Sequence, residues 1–171
     1  MSVGVVKTLT AGAGTISREI DPTALHNVIT YRLARLYAKL NASATRSLAS
    51  TDNMTLSRWR ILVVLNAMGE GTLTGISQRT ELDKGQLSRD ITRMVADGWL
   101  KTKADSEDMR QQTLSISEKG MKQYHAAKPA MDTRQACLEA ALAPKERAVL
   151  FTAIEKLEAV TSCSGDELQK T

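Results

Sequence analysis

Asp83-Lys84-Gly85-Gln86-Leu87-Ser88-Arg89-Asp90-Ile91-Thr92-Arg93-Met94-Val95 is the stretch on which the reading of this chain turns. Leu87, Ile91, Met94 and Val95 recur at helical spacing, so one face can bury. The opposite face carries Lys84, Gln86, Ser88, Arg89, Thr92 and Arg93, side chains that hydrogen-bond phosphates and base edges. Asp83 stands at the N-cap, and Gly98 stands where a left-handed residue ends a helix. Just upstream, Thr74 opens a shorter helix that ends near Thr80. A short apolar helix followed by a polar-faced one is the helix-turn-helix pattern, in which the second helix enters the major groove.

Downstream the period changes to two. Trp99-Leu100-Lys101-Thr102-Lys103 and Gln112-Thr113-Leu114-Ser115-Ile116 alternate as half-buried strands do, and 104–110 is a polar hairpin tip. Together they make a wing behind the reading helix. Lys101 and Lys103 on its first strand join the DNA-facing set. Residues 74–110 hold seven basic and seven acidic residues, so any anionic partner is met by the facing of the charges and not by their sum.

Upstream, Thr55 caps a helix from Leu56 to about Met68, closed by Gly69 and Gly71. Its Ile61-Leu62-Val63-Val64-Leu65 run is apolar all round and belongs at the centre of the core. Asp21-Pro22 starts a helix that continues to about Ser50, with Leu25, Ile29, Leu33, Leu36 and Leu40 in one stripe. Ser117 to Gly120 opens a long helix to about Leu142, and Pro144 starts a last one with Val149, Leu150, Ile154 and Leu157 on its apolar face. These terminal faces have no home in a monomer, and joined across a two-fold axis they form a dimerisation domain.

The fold class is therefore mainly α with a small β-wing: a winged helix-turn-helix plus a helical dimerisation domain made by the N- and C-terminal helices. Residues 1–20 read as a flexible arm and 21–54 as a dimerisation helix. Residues 55–120 are the winged unit, and 121–171 the C-terminal dimerisation helices. A net charge of +4 in 171 residues is compatible with an anionic partner. No apolar run reaches bilayer length and no continuous apolar stretch follows Lys7, so no secretory signal is expected, and a cytoplasmic protein without a membrane partner is expected. Cys137 and Cys163 have no metal-ligand spacing; Cys137 is expected to be a small buried hydrophobe.

These residues, taken in order, resemble the MarR family of winged helix-turn-helix regulators over about residues 25–160. The resemblance is carried by Leu56-Ser57-Arg58-Trp59-Arg60-Ile61-Leu62 and by Leu82-Asp83-Lys84-Gly85-Gln86-Leu87-Ser88-Arg89. Gly98-Trp99-Leu100 leads into the wing, and Leu114-Ser115-Ile116-Ser117-Glu118-Lys119-Gly120 leads out of it. The family's wing pattern, Asp-Pro-x-Asp-(Arg/Lys)-Arg, stands here as Asp105-Ser106-Glu107-Asp108-Met109-Arg110. Asp105, Asp108 and Arg110 are kept. Ser106 and Met109 replace the proline and a basic residue, which implies a weaker wing contact. Arg110 would enter the minor groove, and Asp108 would hold it or an arginine of a partner chain.

The resemblance further implies a homodimer on a pseudo-palindromic operator, with small effectors, often aromatic acids, changing the spacing of two reading heads. The effector site would lie near the first, second and fifth helices, where His26, Tyr31, Arg35, Tyr37, Trp59 and Arg60 could grip an aromatic carboxylate. On the reading helix Gln86 is expected to contact adenine and Arg89 guanine. Double-stranded DNA is the expected partner, a repressor the expected role, and no cofactor, metal or catalytic residue is expected. The only histidines are His26 and His125, and no phosphate-binding loop or activated nucleophile is recognisable. The alternative is a winged-helix module for protein contact or architectural DNA binding, without ligand response.

Overall fold

The structure is a computed structural model that describes residues 24–80, 82–104 and 112–162. It is helical with one small antiparallel sheet. In order come α1 (Ile29–Leu48), α2 (Leu56–Met68), β1 (Glu70–Thr72), α3 (Leu73–Thr80), α4 (Lys84–Ala96), β2 (Leu100–Ala104), β3 (Gln112–Ile116), α5 (Glu118–Ala140) and α6 (Pro144–Ser162). The chain divides into two compact units, residues 1–39 and 40–171. None of the helices among the described residues is long and apolar enough to cross a membrane.

In the second unit, α2 is the central post. Thr55 accepts from the Arg58 amide at 3.2 Å and so satisfies a free N–H of the first turn. Gly69 ends the helix at φ 78°, with its amide donating to the Leu65 carbonyl at 2.8 Å. Ile61, Leu62 and Leu65 are fully buried, whereas Val63 keeps 37% of its surface exposed, so the apolar run is central on all but one side. Ile76 from α3, Leu87 and Met94 from α4, Leu100 and Leu114 from the sheet, and Tyr124 and Ala127 from α5 complete the same core.

The sheet has the order β1-β3-β2, with Leu100 opposite Ile116 and Lys103 opposite Thr113. The β2–β3 hairpin is the expected one. β1 is an addition: Glu70, Gly71 and Thr72 pair with Ser115, Leu114 and Thr113. Its three residues read as a turn in the sequence, because so short a strand carries no alternation of its own and exists by pairing with β3.

Three further features lock α4 to the wing. Gly98 takes φ 74°, a conformation costly for other residues, and turns the chain from α4 into β2. Ser117 caps α5, its hydroxyl donating to the Gly98 carbonyl at 2.6 Å and accepting from the Gly120 amide at 3.0 Å. Arg58 forms an ion pair with Asp97 at 2.9 Å, donates to the Asn53 carbonyl at 3.2 Å and lies over the Trp99 ring at 5.0 Å.

Two expectations are corrected. The first helix begins at Ile29, after a separate 3-10 turn at Ala24–Asn27, and ends at Leu48. The Val28 amide bonds the Leu25 carbonyl, an i→i−3 closure that interrupts the α-pattern. Asp21-Pro22 and the arm at 1–20 lie outside the described residues. Cys137 is exposed, not buried. It stands on the C-terminal half of α5, where no residue after Ala127 is fully buried among the described residues.

Candidate nucleic-acid interface

α4 owes its exposed face to the way its other face is used. Leu87, Ile91 and Met94 enter the core, which turns Lys84, Ser88, Arg89, Thr92 and Arg93 outward. Asp83 accepts from the Gln86 amide at 3.0 Å and caps the helix, which has no acidic residue in its first turn. The positive end of the helix dipole thus faces outward with Lys84 beside it. Thr92 donates its hydroxyl to the Ser88 carbonyl at 2.9 Å.

Gln86 and Arg89 are engaged with each other. Arg89 Nη2 donates to Gln86 Oε1 at 3.2 Å, and Gln86 Nε2 donates to Asp90 Oδ2 at 2.8 Å. Asp90 is only 3% exposed. Sequence reasoning misses Asp90 as the buried support of this face. Its signal is the i,i+4 spacing to Gln86, legible only with the knowledge that position 90 is covered.

On β2, Lys101 and Lys103 are exposed and two residues apart, so they share one side of the strand. Asp105, Asp108 and Arg110, expected at the wing tip, lie outside the described residues. Between α3, α4 and β3 is a hollow of about 720 Å³ lined by Thr72, Leu73, Thr74, Ser88, Ile91, Thr92, Gln112 and Leu114. Polar groups of α4 and β3 meet there.

The expected effector residues fall into two groups. In the first unit, His26 and Tyr31 meet edge-to-face at 6.1 Å, and Arg35 lies over the Tyr31 ring at 5.7 Å. His26 and Arg35 also line a groove of about 480 Å³ with Arg32, Leu33, Leu36 and Lys39. Tyr37 is 55% exposed. In the second unit, Trp59 is a core residue stacked on Tyr124 at 5.2 Å and 8°. Arg60 donates to Asn41 Oδ1 at 2.9 Å. Both line a hollow of about 210 Å³ with Val63, Val64, Arg79 and Thr80. Tyr124, the aromatic partner of Trp59, is not foreseen from the sequence. No group of three or more His, Cys, Asp or Glu among the described residues could hold a metal ion.

A helix-turn-helix at 73–96 followed by a β-hairpin is the arrangement that the MarR family model matches over residues 52–111. Over that segment the chain is similar to the MarR family. A curated relative, the HTH-type transcriptional repressor IacR of Pseudomonas putida, is 31% identical over 91 residues, 53% of this chain and 54% of its own. The match thus spans about half the length of that relative. The organohalide-sensing regulator RdhR-CbdbA1625, solved in its 2,4-dichlorophenol-bound form, shares the fold at a TM-score of 0.70 and 20% identity, over 91% of this chain and 90% of that one. A cysteine-to-serine mutant of MarR from E. coli, complexed with operator DNA, shares it at 0.62 and 21% identity, over 78% of this chain and 96% of that one. The MarR fold, a winged helix with flanking helices, is therefore the fold of this chain.

Proposed function

We propose that this chain is a MarR-family, sequence-specific, double-stranded DNA-binding transcriptional regulator. The observation that carries the reading is the outward polar face of α4 beside two exposed wing lysines, on a core that holds helix and wing in one body. Lys84, Ser88, Thr92, Arg93, Lys101 and Lys103 meet phosphates or secondary base positions, and Arg89 meets a base edge in the major groove. Gln86 belongs to the same face. Arg110 at the wing tip, with Asp105 and Asp108 shaping the turn, is assigned to the minor groove on the family's wing pattern alone.

The working form is a homodimer in the cytoplasm on a pseudo-palindromic operator, and the role is repression. Support for the dimer comes from apolar surface: Val149, Leu150, Phe151, Ile154, Leu157 and Val160 on α6 are exposed, as are Ile29, Leu33 and Leu36 on α1. A chain leaving so much contiguous apolar surface on a helix is built for a partner. Support for repression is the likeness to IacR. A small aromatic effector that relieves it is supported by the dichlorophenol-bound neighbour and by the His26, Tyr31 and Arg35 cluster.

Selection of bound duplexes from a random DNA library at physiological salt tests the reading. An inverted repeat, with half-sites about one helical turn apart, is the expected result. Arg89→Ala is expected to lose about 1–3 kcal/mol of discrimination at one base of each half-site. Absence of any enriched sequence contradicts the reading. Lys101→Ala and Lys103→Ala are expected to weaken all sequences alike. Each should lower the slope of log affinity against log salt by about 1, as a lost phosphate contact does.

A further inference from the structure

The three side chains Arg89, Gln86 and Asp90 form a relay whose polarity is set by chemistry. A carboxylate accepts and does not donate, and a guanidinium donates and does not accept. Gln86, placed between them, therefore turns its NH₂ to Asp90 at 2.8 Å and its carbonyl to Arg89 at 3.2 Å. Asp90 is buried on the inner side of α4, Gln86 is half-buried, and Arg89 is exposed. The relay runs from the interior to the surface. Gly85 leaves room for it: a Cβ there would stand 3.4 Å from Arg89 Nη1.

We propose that Asp90 is a positioning residue that, through Gln86, holds the Arg89 guanidinium ready for guanine and keeps Gln86 from reading adenine. This rests on the DNA-binding reading of α4 given above. Contact with adenine needs both ends of a glutamine amide: the carbonyl for the N6 amino group and the NH₂ for N7. Here each end already has a partner within the helix. Arg89, by contrast, uses one nitrogen on Gln86 and keeps its remaining donors for O6 and N7 of guanine. Holding a long, flexible side chain before the encounter lowers the ordering cost of binding. The selectivity of this position thus depends on a residue that never reaches DNA.

Exchange of the two partner groups provides the test. Asp90→Asn removes the rule that fixes the amide, since asparagine presents either end. Gln86→Glu sets two carboxylates against each other. The double variant restores the order: the asparagine introduced at position 90 donates to the glutamate introduced at position 86, which in turn accepts from Arg89. Base preference is read by competition of duplexes differing only at the guanine that the parent protein selects.

Each single variant is expected to lose about tenfold of the guanine preference, and the double variant to regain it. Overall affinity of the double variant should still fall, because a carboxylate now faces the phosphates. Gln86→Met, which removes both bonds of the relay while keeping the length of the side chain, is expected to relax the guanine preference as well. Loss of an adenine preference in Gln86→Met with guanine retained would overturn the proposal. So would unchanged guanine preference in both Gln86→Met and Asp90→Asn. A parent protein that selects no sequence at all would instead remove the DNA-binding reading, and this proposal with it.

Discussion

Gly120→Ala is expected to lower the stability of this protein by about 3 kcal/mol, the upper range for forcing an extra methyl into a filled site. A Cβ on Gly120 would stand 2.1 Å from the Trp99 carbonyl oxygen, 2.9 Å from its carbon and 3.0 Å from Ile116 Cγ2. The obstacle is backbone, so no side-chain rotation relieves it. The Trp99 oxygen also accepts from the Ser117 amide at 2.9 Å, and Trp99 itself is buried under Arg58. Moving it disturbs the junction of α4, β2 and α5 together. Alanine's better helix propensity returns only about 1 kcal/mol. A loss of roughly 6–12 °C in thermal midpoint follows for a chain of this size. Gly69→Ala is the control. Its φ of 78° is strained for alanine, but nothing lies within 4 Å of the added carbon, so a cost of about 1–2 kcal/mol is expected. Equal midpoints for the two variants would contradict the steric account.

The second large effect is on assembly. Leu150→Glu with Ile154→Glu places two carboxylates on the apolar face of α6, where the parent residues are 39% and 36% exposed. In a free helix facing water the change costs little. In a helix buried against a second copy it strands two charges without partners. The double variant is expected to sediment as a monomer with unchanged helical circular dichroism. Its affinity for the full inverted repeat should fall by about a hundredfold or more, since two linked heads exceed one by about 10²–10⁴. Ala159→Glu, on the side of the same helix that carries Thr152 and Glu155, serves as the charge control. A variant that remains dimeric would show that α6 is not the interface.

Those features of the fold that depend on neighbours in sequence are legible without coordinates. Thr55 and Asp83 cap their helices as read, α5 opens at Ser117 to Gly120 as read, and Gly98 ends α4 in the left-handed conformation, because each acts on a backbone group within four residues. Features that depend on distant partners are not. β1 exists only by pairing with residues over 40 positions away. Arg58 reads in the sequence as a mark of likeness; its reach to both Asp97 and Trp99 is a product of α2 crossing the end of α4.

The outward face of α4 shows the same division. Which residues of α4 look outward follows from the helical period, because Leu87, Ile91 and Met94 leave no other choice. That Gln86 is already engaged does not follow, since it takes the burial of Asp90 to create the demand for its amide. Cys137 illustrates the opposite error. A small thiol on a long helix invites the expectation of burial, yet burial belongs to the part of α5 that lies on the core.

The strand order β1-β3-β2 leaves two open margins, and each is guarded in a different way. β1 is three residues long and runs straight into α3, too short to template a neighbouring chain. β2 is longer and carries Lys101 and Lys103, charges that repel a second copy of the same strand. The two lysines therefore also act as keepers of solubility. Neutralising them removes a safeguard against sheet-to-sheet aggregation along with the phosphate contacts proposed for them, and a protein so altered is expected to self-associate in the absence of any partner.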